Sequence, residues 1–204
     1  MRAVEAAFNM GRKLLVVIVI LILIPVAVLV WLKFGKVPVA VADKPFPQER
    51  LIVHIPLEAR IQRELVKTPP VQADEENLVA GAHIYSDRCA VCHGLHGKPS
   101  TIGAHMYPDA PALWQKHSNS EVVGVSDDPP AETYWKVING IRLTGMPAYK
   151  QILSEKEAWQ VSLLLANADK PLPSTAVEIL LGETPIIPPS IQLPTPTATP
   201  AKGK

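Results

Sequence analysis

The chain has 204 residues, 48% hydrophobic but only 5% aromatic, with 21 prolines and two cysteines. Its formal net charge of +1 and isoelectric point near 7.8 give no footing for a polyanion partner such as nucleic acid. With the proline-rich stretches and one apolar segment set aside, the remainder suits a single compact domain of about 100 residues.

The first 13 residues lead into "LLVVIVILILIPVAVLVWL", residues 14–32, which carry no charge. At 1.5 Å per residue such a run crosses a bilayer core of about 30 Å. Pro25 inside it suits a membrane helix better than a soluble one, and Trp31 sits where an indole meets the headgroups. The alternative is a cleaved signal peptide, for which "AVA" at 40–42 offers a small-x-small site. That site lies well past the run, and the run exceeds the usual apolar core of a signal peptide. A retained transmembrane anchor at 14–32 is therefore expected, with residues 1–13 as a cytoplasmic terminus. Flanking charge does not decide orientation, since Arg2, Arg12 and Lys13 before the run face Lys33, Lys36 and Lys44 after it.

Residues 33–73 read as a spacer broken by prolines at both ends. Between those ends "LEARIQRELV" (57–66) has the makings of a short helix with Ile61 and Leu65 on one face, packing on the domain or on a partner, or lying idle in the spacer. His54 reads as a surface residue.

The folded domain is expected at 74–170. "DEENLVAGAHIYSDR" opens with acids that suit a helix N-terminus, and Leu78, Ala82 and Tyr85 recur at helical spacing. "PAETYWKVIN" (130–139) starts after prolines and stops at Gly140. "SEKEAWQVSLLLANA" (154–168) carries the capping box Ser154-x-x-Glu157 and puts Trp159 and Leu163 on its apolar face. No run alternates as a strand does, so the fold class is all-α. From 171 to 204 the prolines return, and the segment reads as a disordered tail. Charge is uneven along the chain, about −4 from Asp74 to Lys170 and near +3 over residues 33–73.

The chemistry sits in "RCAVCHG", residues 88–94. Cys89-x-x-Cys92-His93 matches the attachment signature of a c-type haem. Two thiols three positions apart add across the two vinyl groups of one macrocycle, which holds the next histidine under the iron. A structural zinc site needs four ligands, and no second cysteine pair exists. A dithiol redox motif normally lies in a strand-helix context and has no need of the histidine. A disulfide between residues so close would close a tiny loop and stabilise little.

A second iron ligand is then expected in a downstream loop. "NGIRLTGMPAY" (139–149) supplies Met146, between Gly145 and Pro147, and a thioether opposite histidine raises the reduction potential. Most buried methionines are core filler. Met106, His105, His117, His96 and His83 are rivals, the His105–Met106 pair foremost because "IGAHMYPDAP" is another proline-bearing loop.

The order of a helix, Cys-Ala-Val-Cys-His-Gly, a variable loop, "WKVINGIRLTGMPAY" and a last aliphatic helix resembles the class I cytochromes c, in particular membrane-anchored bacterial monohaem forms. The resemblance covers roughly residues 74–170. It implies a fold of three to five helices around one covalent haem c, with Cys89 and Cys92 as thioether positions, His93 as proximal and Met146 as distal iron ligand. It also implies that Gly81 and Tyr85 lie where the first and last helices cross. Arg142 resembles a position that faces a haem propionate, and a proline carbonyl, that of Pro99, Pro108 or Pro111, would hold His93 Nδ1. The region between His93 and residue 130 is longer than in the smallest members.

A six-coordinate haem leaves no site for a small-molecule substrate, so an electron carrier rather than an enzyme is expected. Attachment of this type resembles that done outside the bacterial cytoplasm, which would put the haem domain on the outer face of the cytoplasmic membrane. Two roles stay open, a tethered carrier of single electrons between redox partners and a fixed haem subunit of a respiratory or dehydrogenase complex. A sensor or peroxidase in which Met146 leaves the iron is a third.

Overall fold

One unbroken helix, α1 (Arg2–Phe34), opens the chain, and its stretch Met10–Phe34 reaches a mean hydropathy of 3.4. Twenty-five residues at 1.5 Å each extend about 37 Å, more than a hydrocarbon core. Apolar side chains around its whole circumference are exposed, Val19, Leu21 and Leu29 among them. Such a helix needs an apolar medium to be satisfied, and by length and composition it is able to span a bilayer. This computed structural model describes residues 2–65 and 68–182. The chain divides into two units, Met1–Glu49 and Arg50–Lys204.

The second unit is all-helical. It contains α2 (Glu49–Glu64), α3 (Glu75–Arg88), α4 (Ala90–His93), a 3₁₀ turn at Gly103–His105, α5 (Pro130–Asn139), α6 (Glu155–Leu165) and α7 (Ser174–Leu181). Among the described residues there is no strand, only two isolated bridges in the loops, Leu95 with Lys98 and Lys116 with Val123.

The expected start of α3 is met by Asp74, whose carboxylate accepts the Asn77 backbone N–H at 3.0 Å and the Asn77 side-chain amide at 2.9 Å. Asn77 in turn accepts Gln160 Nε2 from α6 at 2.9 Å. At this crossing Gly81 has no Cβ because a Cβ would lie 3.1 Å from that of Leu164 and closer still to the Gln160 carbonyl. Contact so close lets Leu78, Ala82 and Tyr85 mesh with Ala158, Val161 and Leu164 in one core. α6 begins with the full capping box, Ser154 Oγ accepting the Glu157 N–H and Glu157 Oε2 accepting the Ser154 N–H at 2.7 Å. α5 lays Tyr134 flat on Trp159, ring centres 4.1 Å apart and planes 9° from parallel.

Two elements depart from the sequence expectation. The domain does not stop at residue 170, because α7 packs on it with Ala176, Ile179 and Leu180 buried. Burying Ile179 and Leu180 stabilises by about 1.5–3 kcal/mol each, enough to order a segment that composition alone assigns to the tail. α7 ends at Gly182 in the left-handed region, and its last turn is tied back to the loop after His93. There His96 N–H donates to Leu180 O at 3.1 Å and Lys98 Nζ to Leu181 O at 2.6 Å. The rest of the expected tail, 183–204, lies outside the described residues.

The other departure is α2, which starts at Glu49 rather than 57 and carries Pro56 inside it. Its second half belongs to the domain. Ile61 is fully buried, Glu64 accepts the Trp135 indole N–H at 2.9 Å, and the Arg60 guanidinium lies 5.7 Å from the Trp135 ring centre. The Trp135 hydrogen bond and then Arg60 hold the Glu64 carboxyl below its usual range. Residue 66, the expected end of that helix, is outside the described residues.

Candidate haem site

α3 ends where the Cys motif begins. Cys89 N–H closes the last turn of α3 onto Tyr85 O at 2.9 Å, and the chain re-enters a single helical turn, α4, holding Cys92 and His93. Gly94 then breaks it with φ +76°, and a Cβ there would lie 2.7 Å from Lys98 O, so only glycine fits. Tyr85 Oη donates to Gly94 O at 2.7 Å from the core side, locking the exit. Thus Cys89, Cys92 and His93 stand on one rigid turn, clamped at both ends.

The imidazole is oriented. His93 Nδ1 lies 2.8 Å from the carbonyl oxygen of Pro111, 18 residues downstream. A carbonyl only accepts, so the proton sits on Nδ1 and the lone pair is left on Nε2. Of the three prolines expected for this role, Pro99 and Pro108 are passed over. Burial pushes the His93 pKa down, with Pro111 opposing, which favours the neutral ring that a metal ligand must be. The loop that brings Pro111 is itself fastened to the motif. Ser100 Oγ donates to Val91 O at 2.6 Å, and Gly103 presses on the Cys92 carbonyl where no Cβ would fit.

The thiols are not joined to each other, and burial, with Cys92 adding to it, pushes the Cys89 thiol up to about 12. Among the described residues no cluster of three or more His, Cys, Asp or Glu side chains suitable for a metal ion is assembled.

Met146 is half-buried and packs against the core. Its loop is shaped by Gly140 at φ +65° and Leu143 at φ +64°. Thr144 Oγ1 accepts the Met146 N–H at 3.1 Å and donates to Ile141 O at 2.7 Å. Past Pro147 the chain returns to α5, with Tyr149 N–H on Val137 O at 3.0 Å and Lys150 N–H on Ile138 O at 3.2 Å. Tyr149 Oη donates to Arg88 O at 2.9 Å, stapling this loop to the residue before Cys89. Arg142 is exposed on the same loop.

The rivals separate into two groups. His83, His96, His105 and His117 are exposed, and His96 faces the Trp114 ring at 6.2 Å. Met106 is different, because it is half-buried and its terminal methyl packs where a Cβ on Gly145 would be. That contact, linking two loops 39 residues apart, has no sequence signal beyond the proline-bearing loop around it. Around these segments Val91, Ile102 and Leu143 hold exposed apolar side chains, at 66%, 54% and 82%. Exposed apolar groups on the segments that carry two thiols, an oriented imidazole and a half-buried methionine fit an apolar macrocycle with an iron centre.

Residues 76–163, from the first turn of α3 into α6, match the family model described as Cytochrome C oxidase, cbb3-type, subunit III. The chain carries a class I c-type cytochrome domain. A comparison with curated proteins gives no match. A cytochrome c domain implies haem c and electron transfer through it, as a carrier rather than a catalyst, with redox proteins for partners. The match leaves α1, α2 and α7 outside the cytochrome domain's common part, although α7 and half of α2 complete its core.

Proposed function

We propose that this chain is a membrane-anchored monohaem c-type cytochrome that passes single electrons between redox partners at the outer face of the cytoplasmic membrane. Cys89 and Cys92 hold the haem by thioethers, His93 Nε2 and Met146 Sδ ligate the iron, and Arg142 reaches a propionate. The bound group supplies one reversible electron. The protein's part would be to hold the iron through His93 and Met146, a donor pair that raises the potential.

The observation that carries this reading is the 2.8 Å contact of His93 Nδ1 with Pro111 O. It fixes one ring nitrogen of a half-buried imidazole beside two unpaired thiols, which supports ligation through Nε2. The anchor rests on the length and apolarity of Met10–Phe34. The extracytoplasmic side follows from where haem attachment of this type is carried out.

A fixed haem subunit of a larger respiratory complex is the second reading, and two observations favour it. The matched family is described as a subunit of an oxidase. The spacer is also shorter than the sequence suggests, since α2 is packed on the domain by Ile61 and Trp135. A haem-stained native gel of membranes in mild detergent separates the two. A haem band at the size of the chain and its micelle means a free carrier, whereas a band in a large assembly means a built-in subunit. A preparation without haem bound to the chain overturns both.

A further inference from the structure

Gly145, the residue before Met146, is glycine because of a neighbour and not because of its own backbone. Its φ is not positive, so conformation does not demand glycine there, in contrast to Gly140 on the same loop. Among the described residues, and its chain neighbours aside, the only heavy atoms that a Cβ at 145 would meet within 4 Å are Cε and Sδ of Met106. Sδ lies 3.6 Å from that point and the methyl sits almost on it. The missing side chain is thus a notch in the Met146 loop, and the end of Met106 fills it. An unbranched thioether has the reach and adaptability to fill such a gap with little strain.

Met106 belongs to a segment that is tied to the other side of the candidate site. Its N–H donates to Gly103 O at 3.3 Å, closing the 3₁₀ turn. Gly103 is pressed on the Cys92 carbonyl, and its N–H donates to Ser100 Oγ at 2.9 Å, which donates in turn to Val91 O. Farther along the same segment, Pro111 O meets His93 Nδ1 at 2.8 Å. Residues 100–111 therefore touch Val91, Cys92 and His93 in turn, and they meet the Met146 loop at the notch. The other fastenings of that loop act elsewhere, Thr144 from inside it and Tyr149 beyond Pro147.

We propose that Met106 is a positioning residue for the distal ligand. It does not bind the iron itself. Lodged in the notch, it props the backbone before Met146 against the segment that orients His93, so one brace sets both ligands. A loop propped in this way loses less freedom when Met146 binds, because the ligand is already held near its bound place. Removing the prop leaves the Met146 thioether chemically unchanged and raises the share of time it spends off the iron. The inference rests on the proposed reading of Met146 as distal ligand.

The test uses the full-length, haem-loaded protein in detergent, with imidazole as a probe that competes with Met146 for ferric iron. Apparent imidazole affinity rises in proportion to the fraction of protein whose Met146 is off the iron. Met106→Ala is expected to bind imidazole several-fold more tightly than wild type and to weaken the red charge-transfer band of thioether-ligated ferric haem. Met106→Leu, which fills the notch without a sulfur, should stay close to wild type in both. Gly145→Ala should match Met106→Ala, because the added methyl evicts the flexible end of Met106, and the double variant should be no worse than either single one. Gly145→Ala carries the comparison if Met106→Ala fails to load haem. Wild-type imidazole affinity and band in both single alanine variants overturn the inference. So does a lowered melting midpoint with unchanged imidazole affinity, which marks a merely structural side chain, and so do additive losses in the double variant. Met106→Leu behaving as Met106→Ala assigns the role to the sulfur and also overturns the proposal. If wild type lacks the band and Met146→Ala leaves imidazole affinity unchanged, the reading of Met146 as ligand fails first.

Discussion

Gly140 is the position where one added methyl group should be felt at the iron. Its backbone has φ +65° and ψ −178°, a combination open essentially to glycine alone. A Cβ there would stand 2.7 Å from the Pro147 carbonyl carbon and 2.8 Å from both Met146 O and Ala148 N. These are backbone atoms on either side of the proposed ligand, so no flexible side chain is available to give way. Holding alanine in that conformation costs about 1–3 kcal/mol. If the strain stays stored, the melting midpoint falls by roughly 4–8 °C per kcal/mol for a domain of this size. If the loop shifts to relieve it, Met146 draws away and the reduction potential falls. Thermal melting of both oxidation states and a potentiometric titration of Gly140→Ala read the two routes separately. Gly97→Ala is the control, since Gly97 also has positive φ (+72°) but nothing within 4 Å of the added carbon. It should lower the melt slightly and leave the potential alone. A Gly140→Ala protein with both readouts at wild-type values would refute the reasoning.

Met146→His should keep the haem and lower the potential, checked by the same titration, because an imidazole favours the oxidised iron more than a thioether does. Replacing both thiols, Cys89→Ser with Cys92→Ser, should abolish the haem band on a denaturing gel, whereas Lys98→Ala should leave it. Lys136 has burial pushing its ammonium down, but Glu132 at 2.6 Å and Asp128 at 3.4 Å outweigh this and the net direction is up. Lys136→Ala strands the nearly buried Glu132 carboxylate and should cost about 2 kcal/mol at neutral pH, less than for a fully buried pair. Because the Lys136 value is raised on folding, its contribution is present at neutral pH and lost as pH rises through the lysine range, visible in urea melts carried to alkaline pH. Glu157 is held below the usual carboxylate range by the Ser154 hydroxyl and then the Ser154 N–H. A lowered folded value stabilises above the unfolded one and is lost on acidification. The advantage of wild type over Glu157→Gln should therefore be present at pH 7 and vanish toward pH 3 in the same melts.

Strong local signals were readable without the structure. α5 lies at Pro130–Asn139 because proline starts it and Gly140 stops it, and α6 follows from the Ser154–Glu157 box. The Cys89-Cys92-His93 motif needs only its own spacing to be recognised. What was not legible depends on contacts distant in sequence. Choosing Pro111 over Pro99 and Pro108 requires the path of a loop whose turns are set by Gly103 against Cys92 and by Ser100 against Val91. The contact of Met106 with Gly145 is of the same kind. At α7 and the first half of α2, proline content outweighed a real period. Ala176, Ile179 and Leu180 are spaced as a helical face and Gly182 is a ready cap, yet Pro171 and Pro173 made the stretch read as tail. Pro56 hid the start of α2 in the same way, although the helix continues through it despite the lost hydrogen bond and the crowding of the carbonyl four residues earlier.

The docking of α2 changes how far the haem domain is able to travel. A free spacer over residues 33–73 would have a contour length near 140 Å and let the domain search widely. With the second half of α2 fastened by Ile61, Glu64 and Arg60, the free length falls to the 14 residues between Phe34 and Glu49. That stretch is itself turned, with the Val39 and Ala40 N–H groups donating to Asp43 at 2.9 Å and Phe46 lying 6.0 Å from the Trp31 ring, so its limit of about 50 Å is reached only if these contacts open. Such a tether gives a high effective concentration toward a neighbour at its own reach and none toward a partner farther off. On the proposed anchored reading, an electron donor and acceptor would both have to stand within reach of this tether and its domain. Wide diffusion between separate complexes would require the whole chain to move in the membrane, whereas exchange inside one assembly would require only the tether. Short reach therefore weighs toward the fixed-subunit reading. Inserting a long flexible segment at Val41 should leave electron transfer unchanged for a mobile carrier and slow it for a built-in one.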